Sequence, residues 1–262
     1  MKLKNYIAGQ WIEGSGNEIP LYNAVNGELV AISDTEGIDF ESALHYGRTV
    51  GYKNLSSMTF YDRGEMLKKV ALYLLERKKK YYELSYKTGA THADSWVDIE
   101  GGFGTFFTYS GLAKRMLPNT PFWVDGDTQK ISANGTFLGT HILTPSEGVS
   151  VQINAYNFPV WGMMEKLSTS LLAGVPSIVK PATPGSYLTN AVFQDMIESG
   201  ILPEGAIQLV CGEPGNILDY VQDGDSVLFT GSASTGKKLK SLPSISSNAV
   251  RFNMEADSLN CS

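Results

Sequence analysis

The sequence predicts an α/β fold: a Rossmann-like parallel dinucleotide-binding sheet flanked by helices, with a projecting β-hairpin. Three observations carry this. From residue 148 onwards, short apolar strands alternate with helical stretches on short connections, a rhythm that implies right-handed βαβ crossovers. The residues of unusual character gather at the carboxyl ends of those strands, where such sheets bind ligands. The composition, 42% hydrophobic and 18% charged over 262 residues, is that of a globular chain long enough to bury a sizeable core.

Taken in order, residues 62–87 read as the strongest early helix. Met66, Leu67, Val70, Ala71, Leu74 and Leu75 recur at helical spacing, Thr59 is placed to cap the helix and Gly89 to stop it. Lys78, Lys79 and Lys80 fall on it as a solvated face. Residues 94–112 read as a second helix, which Gly101, Gly102 and Gly104 each weaken by about 1 kcal/mol relative to Ala. Residues 117–127, with Pro118 and Pro121, read as loop, and residues 131–143 as a β-hairpin around Asn134-Gly135. Strands are then predicted at 148–154, 176–180, 206–210, 226–230 and 248–253. The helices between them are placed at 160–173, 187–199, a short one near 216–221, and 234–239.

With 21 basic and 27 acidic side chains the formal charge is −6, which gives no reason to expect attraction to nucleic acid or to an anionic membrane. Two cysteines, Cys211 and Cys261, cannot build a disulfide framework and point to a reducing compartment. The first residues contain no apolar run that could be a signal peptide, and no stretch approaches the roughly 20 apolar residues of a membrane helix. A soluble, cytoplasmic protein is expected. His45, His92 and His141 are scattered without metal-ligand spacing, so no metal site is expected.

The segment Phe229-Thr230-Gly231-Ser232-Ala233-Ser234-Thr235-Gly236 lies where a strand turns into a helix, and the free N–H groups of such a helix start favour an anion. Residues 231–237 also fit the opening of a P-loop, but the next residue should be Ser or Thr to hold Mg²⁺, and it is Lys238. A ligand-free structural turn is the bland alternative.

Together with its neighbours this segment resembles the aldehyde dehydrogenase superfamily, and the resemblance runs through essentially the whole chain. The family's Asn-Phe-Pro motif is matched by Asn154-Ala155-Tyr156-Asn157-Phe158-Pro159, and its Lys-Pro-Ala motif by Lys180-Pro181-Ala182. Residues 229–236 match Phe-Thr-Gly-Ser-x-x-x-Gly, and Met254-Glu255-Ala256-Asp257 its glutamate segment. Three further stretches, residues 87–91, 94–102 and 255–261, are similar to one subfamily, the dehydrogenase half of bifunctional phenylacetate-degradation proteins. In those proteins a hydratase-like domain opens oxepin-CoA and the dehydrogenase oxidises the resulting acyl-CoA semialdehyde with NADP⁺.

The resemblance implies roles residue by residue. A cysteine thiolate attacks the aldehyde, hydride leaves to the nicotinamide, and water hydrolyses the thioester. Asn157 matches the oxyanion donor, a contribution of about 3–4 kcal/mol. Glu255 matches the general base for the deacylating water, with partial burial tuning it. Lys180 matches the lysine at the adenosine ribose or its 2′-phosphate, and Ser232 the pyrophosphate position. Ile153, Asn154, Ala182, Thr183, Gly212, Thr230 and Gly231 complete the implied cofactor site. On local grounds alone, Asn157 can equally make a turn and Glu255 be a surface carboxylate.

Two departures matter. Many NAD-preferring relatives carry Glu directly after Lys-Pro-Ala, where this chain has Thr183; losing that carboxylate removes repulsion of a 2′-phosphate, so NADP⁺ is expected, with NAD⁺ possible. In the family the nucleophilic cysteine lies well beyond the glutamate, whereas this sequence ends at Ser262. Cys261 belongs to the segment leading into a catalytic domain, and Cys211 reads as a small buried hydrophobe, so the chain is expected to lack its nucleophile and to be inactive alone. The expected layout is a cofactor-binding domain over 1–255, with 256–262 beginning the connection to that catalytic domain. The hairpin points to a homo-oligomer for the full protein. A non-catalytic dinucleotide-binding module and a P-loop hydrolase are the alternatives.

Overall fold

The structure, a computed structural model, describes residues 1–257. Expectations for residues 258–262, Cys261 among them, fall outside the described residues.

The chain opens with two small antiparallel pairs that the sequence reading passed over. β1 (Asn5–Ile7) and β2 (Gln10–Ile12) form a hairpin whose two turn residues, Ala8 and Gly9, both have positive φ, 48° and 78°. That turn geometry matches the twist of the strands it joins. β3 (Ile19–Tyr22) pairs with β4 (Leu29–Ser33). α1 (Phe40–Tyr46) runs through a π-turn, Gly47–Gly51, into α2 (Tyr52–Ser56).

The single early helix expected from sequence is two. α3 (Phe60–Leu75) starts with a capping box, Thr59 and Asp62 bonding each other's backbone N–H, and α4 (Lys78–Tyr86) follows after a break. The apolar stripe of α3 is not continued by the polar run at residues 77–80, and Arg77 leaves helical geometry at φ −106°. The second helix forms as expected but in three parts: α5 (His92–Trp96), a π-turn over Val97–Gly101, and α6 (Gly102–Met116).

The hairpin is also shifted. β5 (Trp123–Lys130) takes in part of the expected loop, and the stretch before β6 (Leu138–Leu143) is the connection, with Asn134-Gly135 inside it. Every residue of β5 is exposed, so no burial pattern marked it as a strand.

Beyond this the alternation holds: β7 (Ser150–Ile153), α7 (Pro159–Leu172), β8 (Ser177–Lys180), α8 (Ser186–Glu198) and β9 (Ile207–Leu209). A 3₁₀ turn, Ile217–Tyr220, replaces the expected short helix before β10 (Ser226–Gly231), α9 (Ala233–Lys240), an unforeseen α10 (Pro243–Ser246) and β11 (Arg251–Ala256). The last strand lies three residues later than expected because Ala249, at φ 53°, still belongs to the turn. Glu255 therefore sits within the strand.

The main sheet runs β11-β10-β7-β8-β9-β1-β2, with β11 to β9 parallel and the β1–β2 hairpin added antiparallel to β9. The chain moves from β7 outward through β8 and β9, then returns to place β10 on the other flank of β7. This reversal opens a crevice at the carboxyl ends of β7 and β10. One core cluster packs α3, α6, α7 and α8 on one face of the sheet, and a second packs α1, the Ile217–Tyr220 turn and α10 on the other. Among the described residues no helix is long and apolar enough to cross a membrane.

Candidate active site

A cleft of about 930 Å³ occupies that crevice. It brings together seven of the residues singled out from sequence: Asn154 and Asn157 after β7, Ala182 after β8, Thr230 and Gly231 ending β10, Ser232 starting α9, and Glu255 on β11. Four others lie outside its lining. Ile153 is the last residue of β7, in register with Lys180 on one side and Phe229 on the other. Lys180, Thr183 and Gly212 form an adjoining group, in which Thr183 Oγ1 donates to the Gly212 carbonyl at 3.1 Å and Lys180 Nζ approaches Thr183 Oγ1 at 3.4 Å.

Glu255 accepts a hydrogen bond from Thr230 Oγ1 at 2.8 Å, a pairing fixed by the parallel register of β10 and β11. A second partner was missed from sequence: Lys166 Nζ stands 3.7 Å from Glu255 Oε2. Lys166 lies on α7 with a side chain only 7% exposed, and it also reaches Glu165 Oε1 at 3.5 Å and the Gly162 carbonyl at 3.4 Å. The available signal was a lysine in a mostly apolar helix, because a buried cation needs partners. Glu255 itself is 54% exposed, so these residues do not supply the partial burial expected of the base.

The floor of the cleft is polar and incompletely satisfied. Asn154 is 5% exposed, yet neither atom of its side-chain amide has a partner among the described residues. A buried orphan amide in a cleft calls for a ligand group that both donates and accepts. At the start of α9, Ser232 Oγ accepts from the Thr235 N–H at 3.3 Å, and the Asp257 carboxylate accepts from the Ala233 N–H at 3.3 Å. That carboxylate stands in for the anion which the helix start favours. The Asn157 side chain is exposed and makes no hydrogen bond among the described residues, which leaves its amide free to donate into the cleft.

Lys180 is buried, and desolvation pulls its pKa down against the opposing field of Glu213. Glu213 thus brings a carboxylate's field to Lys180 even though position 183 carries none. Cys211 is fully buried, and burial pushes its thiol up to about 12 despite the Asn190 amide 3.4 Å away and the nearby Lys180 charge. A thiol held neutral in this way is no nucleophile, in keeping with its reading as a small hydrophobe. The orphan amide, the helix start with its cap and the buried lysine together fit a dinucleotide.

The aldehyde dehydrogenase family profile matches residues 11–261. Among curated relatives, 3,4-dehydroadipyl-CoA semialdehyde dehydrogenase of Aromatoleum evansii is 40% identical over 261 residues, which are 99% of this chain and 50% of that protein. Betaine aldehyde dehydrogenase of Bacillus subtilis (strain 168) is 30% identical over 241 residues, covering 89% of this chain and 47% of that one. Among solved structures, 3,6-anhydro-L-galactose dehydrogenase in complex with NAP matches with a TM-score of 0.84 and 24% identity, over 98% of this chain and 52% of that chain. PnpE in complex with nicotinamide adenine dinucleotide also matches at 0.84 and 24%, over 98% and 51%. At that identity these two structures speak for the fold. The chain spans about half the length of the relatives it matches.

Proposed function

Because the chain belongs to the aldehyde dehydrogenase family, we propose that it is the cofactor-binding part of an enzyme that oxidises an aldehyde to a carboxylic acid with NADP⁺ or NAD⁺. The substrate proposed is an acyl-CoA semialdehyde formed in phenylacetate or related aromatic degradation, in line with the name of the relative at 40% identity. The observation that carries the reading is the convergence of Asn157, Glu255 and the orphan Asn154 amide in one cleft at the β7–β10 reversal.

In this reading the bound dinucleotide supplies the hydride acceptor. The Asn157 amide donates to the oxygen of the aldehyde as negative charge builds on it. Glu255 takes a proton from the hydrolytic water, its carboxylate held by Thr230 and faced by Lys166. Ser232 and the start of α9 receive the pyrophosphate, Asn154 meets polar groups of the cofactor, and Lys180 with Thr183 and Gly212 borders the adenosine ribose. Thr183 in place of a carboxylate favours NADP⁺, while Glu213 tempers that preference. The thiolate nucleophile is proposed to come from sequence beyond Ser262. Residues 1–255 form the cofactor-binding unit, and the β5–β6 hairpin takes part in homo-oligomer assembly.

The test is turnover of an acyl-CoA semialdehyde by the full-length protein, followed as NADPH formation. Asn157→Ala is expected to lower kcat by about 10²–10³-fold, the scale of one lost oxyanion donor. Glu255→Gln is expected to stall turnover after a first round of reduced cofactor. Wild-type kinetics in both variants would overturn the assignment. Dinucleotide binding without turnover of any aldehyde would favour a non-catalytic module.

A further inference from the structure

We infer that Asp98, seated by Gly101 and Gly102, is a positioning residue that sets where α7 begins and thereby aims Asn157. This rests on the oxyanion role proposed for Asn157.

α7 begins without a cap of its own. Phe158, at its N-cap position, offers no side-chain oxygen, and Pro159 has no N–H to satisfy. The next two N–H groups are taken up from a distant part of the chain: Asp98 Oδ1 accepts from Val160 N at 3.0 Å and from Trp161 N at 2.8 Å. Asp98 is only 4% exposed. It lies in the Val97–Gly101 π-turn, where an extra residue is looped into the helical rod, an irregularity frequent at functional sites.

The two glycines complete the seat. A Cβ on Gly102 would stand 3.1 Å from both the N and the Cα of Trp161, and one on Gly101 would collide with the Trp161 ring. Bare backbone at Gly102 lets α7 come this close without being pushed back. Each of the three features is unfavourable locally. Burial pushes the Asp98 carboxyl up to about 7 even though the two N–H bonds pull it back down, glycines weaken a helix, and a π-turn gives up regular hydrogen bonding. All three converge on one turn of one helix.

What that turn controls is the site. Asn157 immediately precedes Phe158 and Pro159, and no hydrogen bond to its side chain holds it among the described residues, so its direction follows the start of α7. Lys166, which faces Glu255, rides on the same helix. A misplacement of about 1 Å at a reacting centre can lower a rate by about a hundredfold.

The experiment uses the full-length enzyme and a double-variant cycle. Asp98→Ala is expected to lower kcat by about a hundredfold, with the KM for the dinucleotide unchanged. Asp98→Asn keeps an acceptor oxygen and is expected to restore most of that loss. If Asp98 acts through Asn157, the double variant Asp98→Ala/Asn157→Ala is no slower than Asn157→Ala alone. Losses that multiply in the double variant, or an unchanged kcat in Asp98→Ala, overturn the inference while leaving Asn157 in its role. A wild-type rate in Asn157→Ala removes that role and the inference together. Should Asp98→Ala fail to fold, Gly102→Ala presses on the same contact, and its loss must likewise vanish in an Asn157→Ala background; persistence there overturns the inference.

Discussion

The cleft at the β7–β10 reversal and the β5–β6 hairpin both expose apolar side chains, yet they do so in opposite ways. In the cleft, exposed Tyr156 and Met254 border a floor that contains a buried orphan amide, with buried Lys166 and Lys180 close by. The hairpin is a ribbon whose β5 is exposed along its whole length, with Trp123, Phe137, Leu138, Ile142 and Leu143 open to solvent and no sheet beneath them. A two-stranded ribbon is marginal in water by itself, and a flat apolar one invites another chain. Unsatisfied polarity at depth marks a place for a small polar molecule. Apolar surface without depth marks a place for protein.

That contrast breaks most visibly at the hairpin. Phe137→Asp combined with Ile142→Asp is expected to dissociate the homo-oligomer proposed for the full-length protein, read as a fall in sedimentation coefficient. Dinucleotide affinity should stay within about twofold, because among the described residues no side-chain hydrogen bond or ion pair joins the two regions. Loss of dinucleotide binding with the assembly intact would reverse the two assignments.

A smaller effect sharpens the cleft side. The field of Glu213 reaches Lys180, where the proposed reading places a 2′-phosphate, so Glu213→Gln should raise the NADP⁺ over NAD⁺ preference by about two- to fivefold, the scale of a solvent-screened charge pair. Equal Michaelis constants before and after the change would remove Glu213 from the specificity argument.

A test of a different kind reads stability. Asp98 titrates near 7 in the folded chain because burial disfavours its charge, against 3.8 as the ordinary value. The folded state therefore holds this proton more tightly than the unfolded state. The stability linked to it is complete below about pH 3.8 and is lost as pH rises through about 7. Asp98→Asn removes the titration, so its melting temperature should gain on the wild type between those limits and run parallel above them. Melting curves at pH 4 and pH 8 check this, and a gap that does not widen would mean that Asp98 is not buried as described.

The sequence was most legible where periodicity and position coincide. The alternation from β7 to β10 came through, because parallel strands covered on both faces read as short apolar runs. Strands β1 to β4 did not, being only three to five residues long, and β1 is placed in the sheet by a distant partner, with Tyr6 opposite Leu209. β5 carried no apolar alternation, and β11 was displaced by a left-handed turn at Ala249 that no glycine announced. Asp98 was invisible for a different reason: it looks like an ordinary helical charge until the fold buries it against the first turn of α7.

The placement of β1 also bears on how the chain is made. Its hairpin is tied to β9 at the far edge of the sheet, where the Ala8 N–H bonds the Gln208 side chain across a separation of 200 residues, and Asn5 meets the Cys211 backbone. During synthesis these first residues leave the ribosome long before their partners exist. β1 is thus made long before the strand that fixes it, and a contact so remote in sequence is of the kind that forms slowly.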